Sequence, residues 1–120
     1  MFEKLKEVES RYDELMTLVS DAAIQSDQSE YRKHSKALSE IQSLVEKYRA
    51  YKATTTEATQ AQELTDSNDE DPELRELAKQ ELITLKERQN SLLAEIKILL
   101  LPKDPNDERN VVLEIRAGTG

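Results

Sequence analysis

Apolar residues recur every three or four positions along most of the chain and divide it into three stretches. The first stretch covers residues 2–19, and charged residues fill most positions between the apolar ones. This spacing predicts an α-helix with one apolar face. The face consists of Phe2, Leu5, Val8, Tyr12, Leu15, Met16 and Val19. The pattern fails at residues 20–23, where we predict a connection.

A second helix is predicted over residues 28–65. Ser26 or Asp27 can cap its first turn, and Glu30 follows Asp27 at the spacing of a capping box. Threonines at 54–56 have low helix propensity, but no Gly or Pro interrupts the stretch, so we predict one continuous helix that is weakest there. The apolar face consists of Tyr31, Leu38, Ile41, Leu44, Val45, Tyr48 and Tyr51, and it thins to Ala53, Ala58, Ala61 and Leu64.

A third helix is predicted over residues 72–100. Asp71 stands at its cap, Pro72 lies in its first turn, and Glu73 lies beside the positive end of the helix dipole. Gln89 occupies a position where the periodicity requires an apolar residue, so the apolar face is interrupted there. The face consists of Leu74, Leu77, Ala78, Leu82, Leu85, Leu92, Ile96 and Leu99.

These three helices predict a mostly α fold. The second and third are each about 30 residues or longer, which corresponds to roughly 45–55 Å of helix. A short acidic turn joins them, so we expect an antiparallel hairpin whose two apolar faces cover each other. The short first helix is expected to pack on the same seam.

The character of the chain changes at Pro102, which ends the third helix. Residues 102–110 form a polar loop, and residues 111–116 alternate apolar and polar side chains as a β-strand does. A single strand without a partner is not stable alone. We therefore expect a helical domain at 1–101, a linker, and at 111–120 the truncated start of a further domain. Its orphan strand is able to pair with a second copy of the chain.

The 120 residues carry 25 acidic and 17 basic side chains, a formal net charge of −8. This charge argues against binding nucleic acid through the overall field, although a local basic patch or a place on a ribonucleoprotein stays open. The absence of Cys excludes disulfides and thiolate metal sites. The longest apolar run, 98–101, is far shorter than a membrane span of about 20 residues, and no signal peptide begins the chain. We expect a soluble cytoplasmic protein.

Candidate sites for chemistry are few. The acidic turn at 66–71 lacks the Gly and the terminal acid of an EF-hand, so we expect a solvated connection. His34 stands alone among basic residues, which disfavours a metal ligand. Tyr31, Tyr48 and Tyr51 have side chains that stack on nucleic-acid bases in other proteins, but their spacing favours packing in the seam. We predict no catalytic residue, no cofactor and no metal site, and hence no enzyme.

The last part of the chain carries a specific resemblance. Residues 99–110 read LLLPKDPNDERN and residues 112–120 read VLEIRAGTG, and both come after DPELRELA at 71–78. This ordered pattern resembles the bacterial class I peptide chain release factors, and its RAGTG ending is more similar to release factor 1 than to release factor 2. The resemblance covers the whole chain, sharply in the tail and mainly through spacing and length in the first two helices.

The resemblance implies a function in translation termination. A full factor of this family enters the ribosomal A site, reads UAG or UAA, and promotes hydrolysis of peptidyl-tRNA. Its decoding tripeptide and its glycine-glycine-glutamine loop would lie beyond residue 120, and no residue of this chain matches either motif. The resemblance therefore implies an N-terminal helical domain that docks near the ribosomal stalk base and on the GTPase that recycles the factor.

A stand-alone adaptor protein is the alternative hypothesis. The long apolar faces and charged flanks also suit a helical hairpin that only joins other proteins. The two hypotheses predict different continuations of the reading frame after residue 120. A later glycine-glycine-glutamine would favour the release factor, whereas a stop codon would favour the adaptor.

Overall fold

Four α-helices make up the described part of the chain, which in this computed structural model comprises residues 1–68 and 71–102. They are α1 (Phe2–Ser20), α2 (Ala22–Ser26), α3 (Gln28–Asp66) and α4 (Pro72–Leu100). Helices α3 and α4 form a long hairpin, α1 packs along α3, and α2 contacts both α1 and α3. The predicted mostly α fold is confirmed. The predicted loop from residue 103 and the predicted strand at 111–116 lie outside the described residues.

The three long helices begin and end within one residue of their predicted bounds, and α3 and α4 begin at the predicted side-chain caps. Asp27 Oδ1 accepts a hydrogen bond of 3.2 Å from the backbone N–H of Glu30. Asp71 Oδ1 accepts one of 3.0 Å from the backbone N–H of Glu73, and Pro72 occupies the first turn of α4. Each carboxylate satisfies a backbone donor that has no partner inside its helix.

The connection predicted at residues 20–23 was wrong in part, because most of it is helical. Only Asp21 leaves the helical conformation, with φ −79° and ψ 126°. Its carboxylate accepts a hydrogen bond of 2.9 Å from the backbone N–H of Ala23 and so starts α2 immediately. Gln25 then donates to the carbonyl of Val19 across the corner, at 2.9 Å. A single capping residue therefore ends α1 and starts α2, and a second one, Asp27, starts α3.

Helix α3 continues through the threonines at 54–56, as predicted. The hydroxyls of Thr54 and Thr55 donate to the carbonyls of Ala50 and Tyr51, at 2.8 and 2.9 Å. This back-bonding to the preceding turn gives each hydroxyl a partner without breaking the helix. The low intrinsic propensity of threonine is thus overridden within a helix of 39 residues.

The line of buried and half-buried positions along α4 advances by alternating steps of four and three residues. It passes through Ala78, Leu82, Leu85, Gln89, Leu92 and Ile96. A step of four residues followed by a step of three adds up to seven, the repeat typical of helices that wind around each other in a left-handed coiled coil. The hairpin is thus held by a narrow seam rather than by a broad apolar layer.

Two apolar clusters lie along this hairpin. The first joins α1, α3 and α4, and it consists of Leu5, Leu44, Tyr48 and Ile96 with Val8, Tyr51 and Leu100 at its margin. The second lies nearer the turn between α3 and α4, and it consists of Ala58, Ala61 and Leu85 with Leu82. The alanines of the second cluster leave room for the two helix backbones to approach closely.

A polar layer separates the two clusters at the position where the sequence predicts an interruption. Gln89 Nε2 donates to Thr55 Oγ1 at 2.9 Å, and Arg88 Nε donates to Thr54 Oγ1 at 3.3 Å. Thr54 is only 3% exposed. The interruption at Gln89 is therefore a set of matched hydrogen bonds between α3 and α4, and the sequence alone did not reveal its threonine partners.

Several residues predicted for the apolar faces are exposed instead. Leu77 is 65% exposed, because its neighbour Ala78 takes the buried position. Leu74 lies in the first turn of α4, at the end of the seam, and Tyr31 lies on a part of α3 that α4 does not reach. The prediction was also wrong for Phe2, Met16, Ala53, Leu64 and Leu99. Local periodicity locates a helix face, but the lengths of the neighbouring helices decide how much of it is covered.

Candidate functional site

Charged residues of α1 and α3 form a network across the interface between these helices. Arg49 donates from Nε to Glu9 Oε2 at 2.7 Å and from Nη2 to Asp13 Oδ1 at 3.1 Å. Lys52 Nζ donates to Glu9 Oε1 at 2.8 Å. Both cations also lie over aromatic rings, Arg49 over Tyr12 at 5.1 Å and Lys52 over Tyr48 at 4.5 Å from the ring centroid. In the sequence these charges are recognisable only as solvated flanks, because partners about 40 residues apart leave no local signal.

Glu9 is the centre of this network, and its carboxylate receives hydrogen bonds from both cations. The hydrogen bond from Arg49 lowers the pKa of Glu9 below its ordinary value of 4.5, and the bond from Lys52 lowers it further. The hydrogen bond to Glu9, followed by that to Asp13, raises the pKa of Arg49. Both groups are therefore held in their charged forms. They join α1 to α3 and are not poised to exchange protons as a catalytic acid or base would be.

The three tyrosines considered for stacking on bases have different surroundings. Tyr48 is 4% exposed within the first apolar cluster, and Tyr51 stacks on Phe2 with ring centroids 5.7 Å apart. Packing was the correct prediction for these two. Tyr31 is 42% exposed, so the prediction that it packs in the seam was wrong. Of the three rings, Tyr31 is the one with a face open to a partner.

His34 has a carboxylate partner that was not predicted. Its Nε2 lies 3.1 Å from Glu30 Oε2, one helical turn away, and the histidine side chain is 13% exposed. The spacing of four residues was visible in the sequence and is the usual one for such a contact. Glu30 thus has two functions at the start of α3: its N–H binds the Asp27 cap, and its carboxylate binds His34.

The acidic turn uses its described carboxylates for local contacts. Gln62 Nε2 donates to both oxygens of Asp66, at 3.1 and 3.0 Å, while Asp71 caps α4. Within residues 1–68 and 71–102, no group of three or more His, Cys, Asp or Glu side chains is arranged to hold a metal ion. In the same part of the chain, no helix is long and apolar enough to cross a membrane.

A cluster of cations lies at the start of α3, at the end of the hairpin opposite the turn between α3 and α4. We call this surface the basic end; it consists of Tyr31, Arg32, Lys33 and Lys36 together with Gln28. Two shallow depressions share Gln28, Arg32 and Lys36, and the larger, about 560 Å³, is also lined by Tyr31. All five side chains are exposed, and within the described residues the three cations form no ion pair.

Similarity to known proteins extends over nearly the whole chain rather than over one site. The model of the PCRF domain family matches residues 8–120. No solved structure matches the chain.

Curated relatives of the chain include several bacterial proteins named Peptide chain release factor 1. The chain is 52% identical to the one from Geotalea uraniireducens, 49% to the one from Geobacter sulfurreducens and 46% to the one from Acidobacterium capsulatum. Each alignment covers all 120 residues of this chain and 33% of the relative. The chain therefore spans about a third of the length of these relatives.

Proposed function

The chain belongs to the PCRF domain family, and on this premise we propose that it acts in translation termination as the N-terminal helical domain of a release factor 1-like protein. One observation supports the proposal most strongly. About half of the residues of this chain are identical to those of proteins named Peptide chain release factor 1, and the alignments cover all 120 residues of the chain. The complete protein would then act in the cytoplasm, at UAG and UAA stop codons.

The proposed division of labour assigns docking to this chain and chemistry to the remainder of the protein. Helices of 39 and 29 residues are about 58 and 43 Å long, so the hairpin can hold two binding surfaces far apart at a fixed distance. The coiled-coil seam and the Glu9 network make such an arm stiff. We propose that it docks near the ribosomal stalk base and on the GTPase that recycles the factor.

The proposed domain organisation rests on the change in character at Pro102. Residues 1–101 would form the helical arm, residues 102–110 the linker, and residues 111–120 the first strand of the decoding domain. The decoding and hydrolytic motifs of the family would lie beyond residue 120. On this proposal the chain is not itself an enzyme.

A release assay on ribosomes programmed with a stop codon tests this division. We expect the 120-residue chain alone to release no peptide. A chimera in which this chain replaces the equivalent segment of the Geotalea uraniireducens relative should release peptide at UAG and UAA but not at UGA. Peptide release by the isolated chain would contradict the proposal, as would an inactive but folded chimera.

A second experiment deletes, from the Geotalea uraniireducens relative, the segment that aligns with this chain. It tests docking on the GTPase separately from peptide release. Single-turnover release at a saturating concentration should persist, whereas stimulation of turnover by the recycling GTPase should be lost. Unchanged turnover would show that the segment does not dock on the GTPase and would favour the stand-alone adaptor. The chimera is the matched control, because it restores a folded arm of the same length.

A further inference from the structure

Within the described residues, the three cations of the basic end form no ion pair, whereas the other three cations of α3 each bind a carboxylate. Arg49 and Lys52 bind Glu9, and Lys47 Nζ binds Glu95 at 2.8 Å. Lysines without an ion pair elsewhere, such as Lys4 and Lys6, alternate with glutamates along the sequence. Three cations of the basic end, by contrast, lie within five residues of one another.

Helical spacing places these three cations next to each other. Arg32 and Lys36 are four residues apart, and Lys33 and Lys36 are three apart, so their side chains are neighbours on the surface of α3. Like charges at these spacings repel and destabilise a helix. The nearby carboxylates of Asp27 and Glu30 already bind partners in their own turn. Glu40, four residues after Lys36, is the remaining carboxylate of α3 at such a spacing, and within the described residues it forms no ion pair with Lys36.

We propose that the basic end binds structured RNA, with Arg32, Lys33 and Lys36 on its phosphates and Tyr31 stacked on an unpaired base. This proposal names a ligand for the docking role proposed above. It rests on that role for the source of the RNA, which would be the ribosome. Three adjacent cations fit a polyanion, and a guanidinium can bind a phosphate through two parallel hydrogen bonds. The field of the whole chain, with its net charge of −8, does not favour RNA, so binding must be local.

Tyr31 is the reason for favouring RNA over an acidic protein segment. Its ring is 42% exposed and lines the same depression as Arg32 and Lys36. Proteins that bind unpaired nucleotides combine a positive groove with aromatic rings on which bases stack. An acidic peptide would use the cations but would have no equivalent need for the ring. Gln28, in the same depression, adds an amide donor for a phosphate or a base edge.

Fluorescence anisotropy with a labelled RNA hairpin, whose loop is unpaired, tests the proposal on the 120-residue chain. Contacts to three phosphates predict that the affinity falls roughly 20- to 40-fold when monovalent salt rises from about 50 to about 200 mM. Replacement of Arg32, Lys33 and Lys36 by Gln should weaken binding at the lower salt concentration by at least about tenfold. Absence of binding by the wild-type chain at low salt would overturn the proposal.

Two further variants give the test its specificity. Replacement of Lys4, Lys6 and Lys86 by Gln changes the net charge equally and should leave the affinity within about twofold, because these lysines make no phosphate contact in the proposed complex. Tyr31→Leu should weaken binding of the hairpin RNA by about tenfold but not of a blunt RNA duplex, which offers no unpaired base. Circular dichroism should show unchanged helix content in all variants.

The outcomes separate RNA from an acidic protein partner and from the proposed function. Equal losses in both triple variants would mean that only net charge matters and would overturn the proposal. Tighter binding of polyglutamate than of the hairpin RNA would assign the surface to an acidic protein segment instead. Ribosomes are absent from this assay, so its failure leaves the proposed function intact, whereas failure of the chimera in the release assay leaves RNA binding intact.

Discussion

Single side chains decide how α1 is held against α3. Leu5 of α1 is almost completely buried, 1% exposed, and it packs with Leu44 and Tyr48 of α3 in the apolar part of this interface. Glu9 supplies the directional part, because its two carboxylate oxygens bind different cations of α3. The side chain of Glu9 is 20% exposed, so water screens the network only in part. The contribution of Glu9 should therefore depend on its charge.

Glu9→Gln is expected to lower the free energy of unfolding by about 1 kcal/mol near neutral pH, since it removes the charge that binds Arg49 and Lys52. The pKa of Glu9 is lower in the folded chain than the ordinary 4.5 of the unfolded chain. The charge thus stabilises the fold fully above that value, and this contribution disappears as the pH falls through the lowered pKa. Urea denaturation should show the difference from wild type shrinking as the pH falls below 4.5.

Glu7→Gln is the matched control for this prediction. Glu7 lies on the same helix and is exposed, and within the described residues it forms no ion pair. Its replacement should change the stability by less than about 0.5 kcal/mol at any pH. If both variants lose the same stability with the same pH dependence, the Glu9 network does not hold α1 in place.

At the scale of secondary-structure elements, the α3–α4 seam combines apolar clusters with one polar layer. A coiled-coil seam made only of apolar residues permits alternative registers, and one polar contact within it selects a register at some cost in stability. Gln89 and Thr55 form such a contact, because their side chains meet only when the two helices are correctly aligned. The hydroxyl of Thr55 also donates to the carbonyl of Tyr51, so it keeps one partner in any register.

A double-mutant cycle on Thr55 and Gln89 measures this contact. Thr55→Val should destabilise the hairpin by about 1 kcal/mol, because the half-buried amide of Gln89 loses its acceptor. In the Gln89→Leu background the same change should cost little, since no polar partner remains to be satisfied. Urea denaturation of the four proteins should therefore give a coupling energy of about 1 kcal/mol.

Thr59→Val provides the control for β-branched substitution in α3. The hydroxyl of Thr59 donates only to the carbonyl of Thr55, within its own helix, and the residue is exposed. Its replacement should show no coupling with Gln89→Leu. A coupling energy near zero for Thr55 as well would mean that the polar layer does not specify the register.

At the scale of the whole molecule, α3 has two regions that pack against different helices. From Leu44 onwards it packs against α4, and four of its buried residues lie between Leu44 and Thr54. None of residues 28–43 is buried, because α4 ends at Leu100 and, among the four described helices, only α1 and α2 pack against this part. The basic end belongs to this second region, so it projects beyond the hairpin seam.

Hydrogen exchange should show these two regions directly. Amides of residues 29–37 are expected to exchange faster than those of residues 45–53, because local opening is easier where few apolar contacts must break. Mass spectrometry of peptides of equal length from the same helix measures the difference, after correction for intrinsic exchange rates. Equal protection of both peptides would contradict the expectation that the start of α3 opens separately. It would indicate that α3 opens as one unit.

Local signals in the sequence determined the helices of this protein. Caps such as Asp27 and Asp71 require only neighbouring residues, and the apolar periodicity requires only the preceding and following turns, so the bounds of the three long helices were predictable to within one residue, whereas the short α2 was missed. The family was likewise predictable, because its motifs are continuous stretches of sequence. Even the polar interruption at Gln89 was visible as a break in the pattern.

Only the tertiary structure decided which residues these signals bring together. The partners of Gln89 and Arg88 lie 34 positions away, and those of Arg49 lie 36 and 40 positions away, distances at which sequence periodicity carries no information. The same holds for Tyr31, which shares a helical pattern with buried Tyr48 but is exposed because α4 is too short to reach it. A helix face is a local property, whereas its burial depends on the length and position of the helix that packs against it.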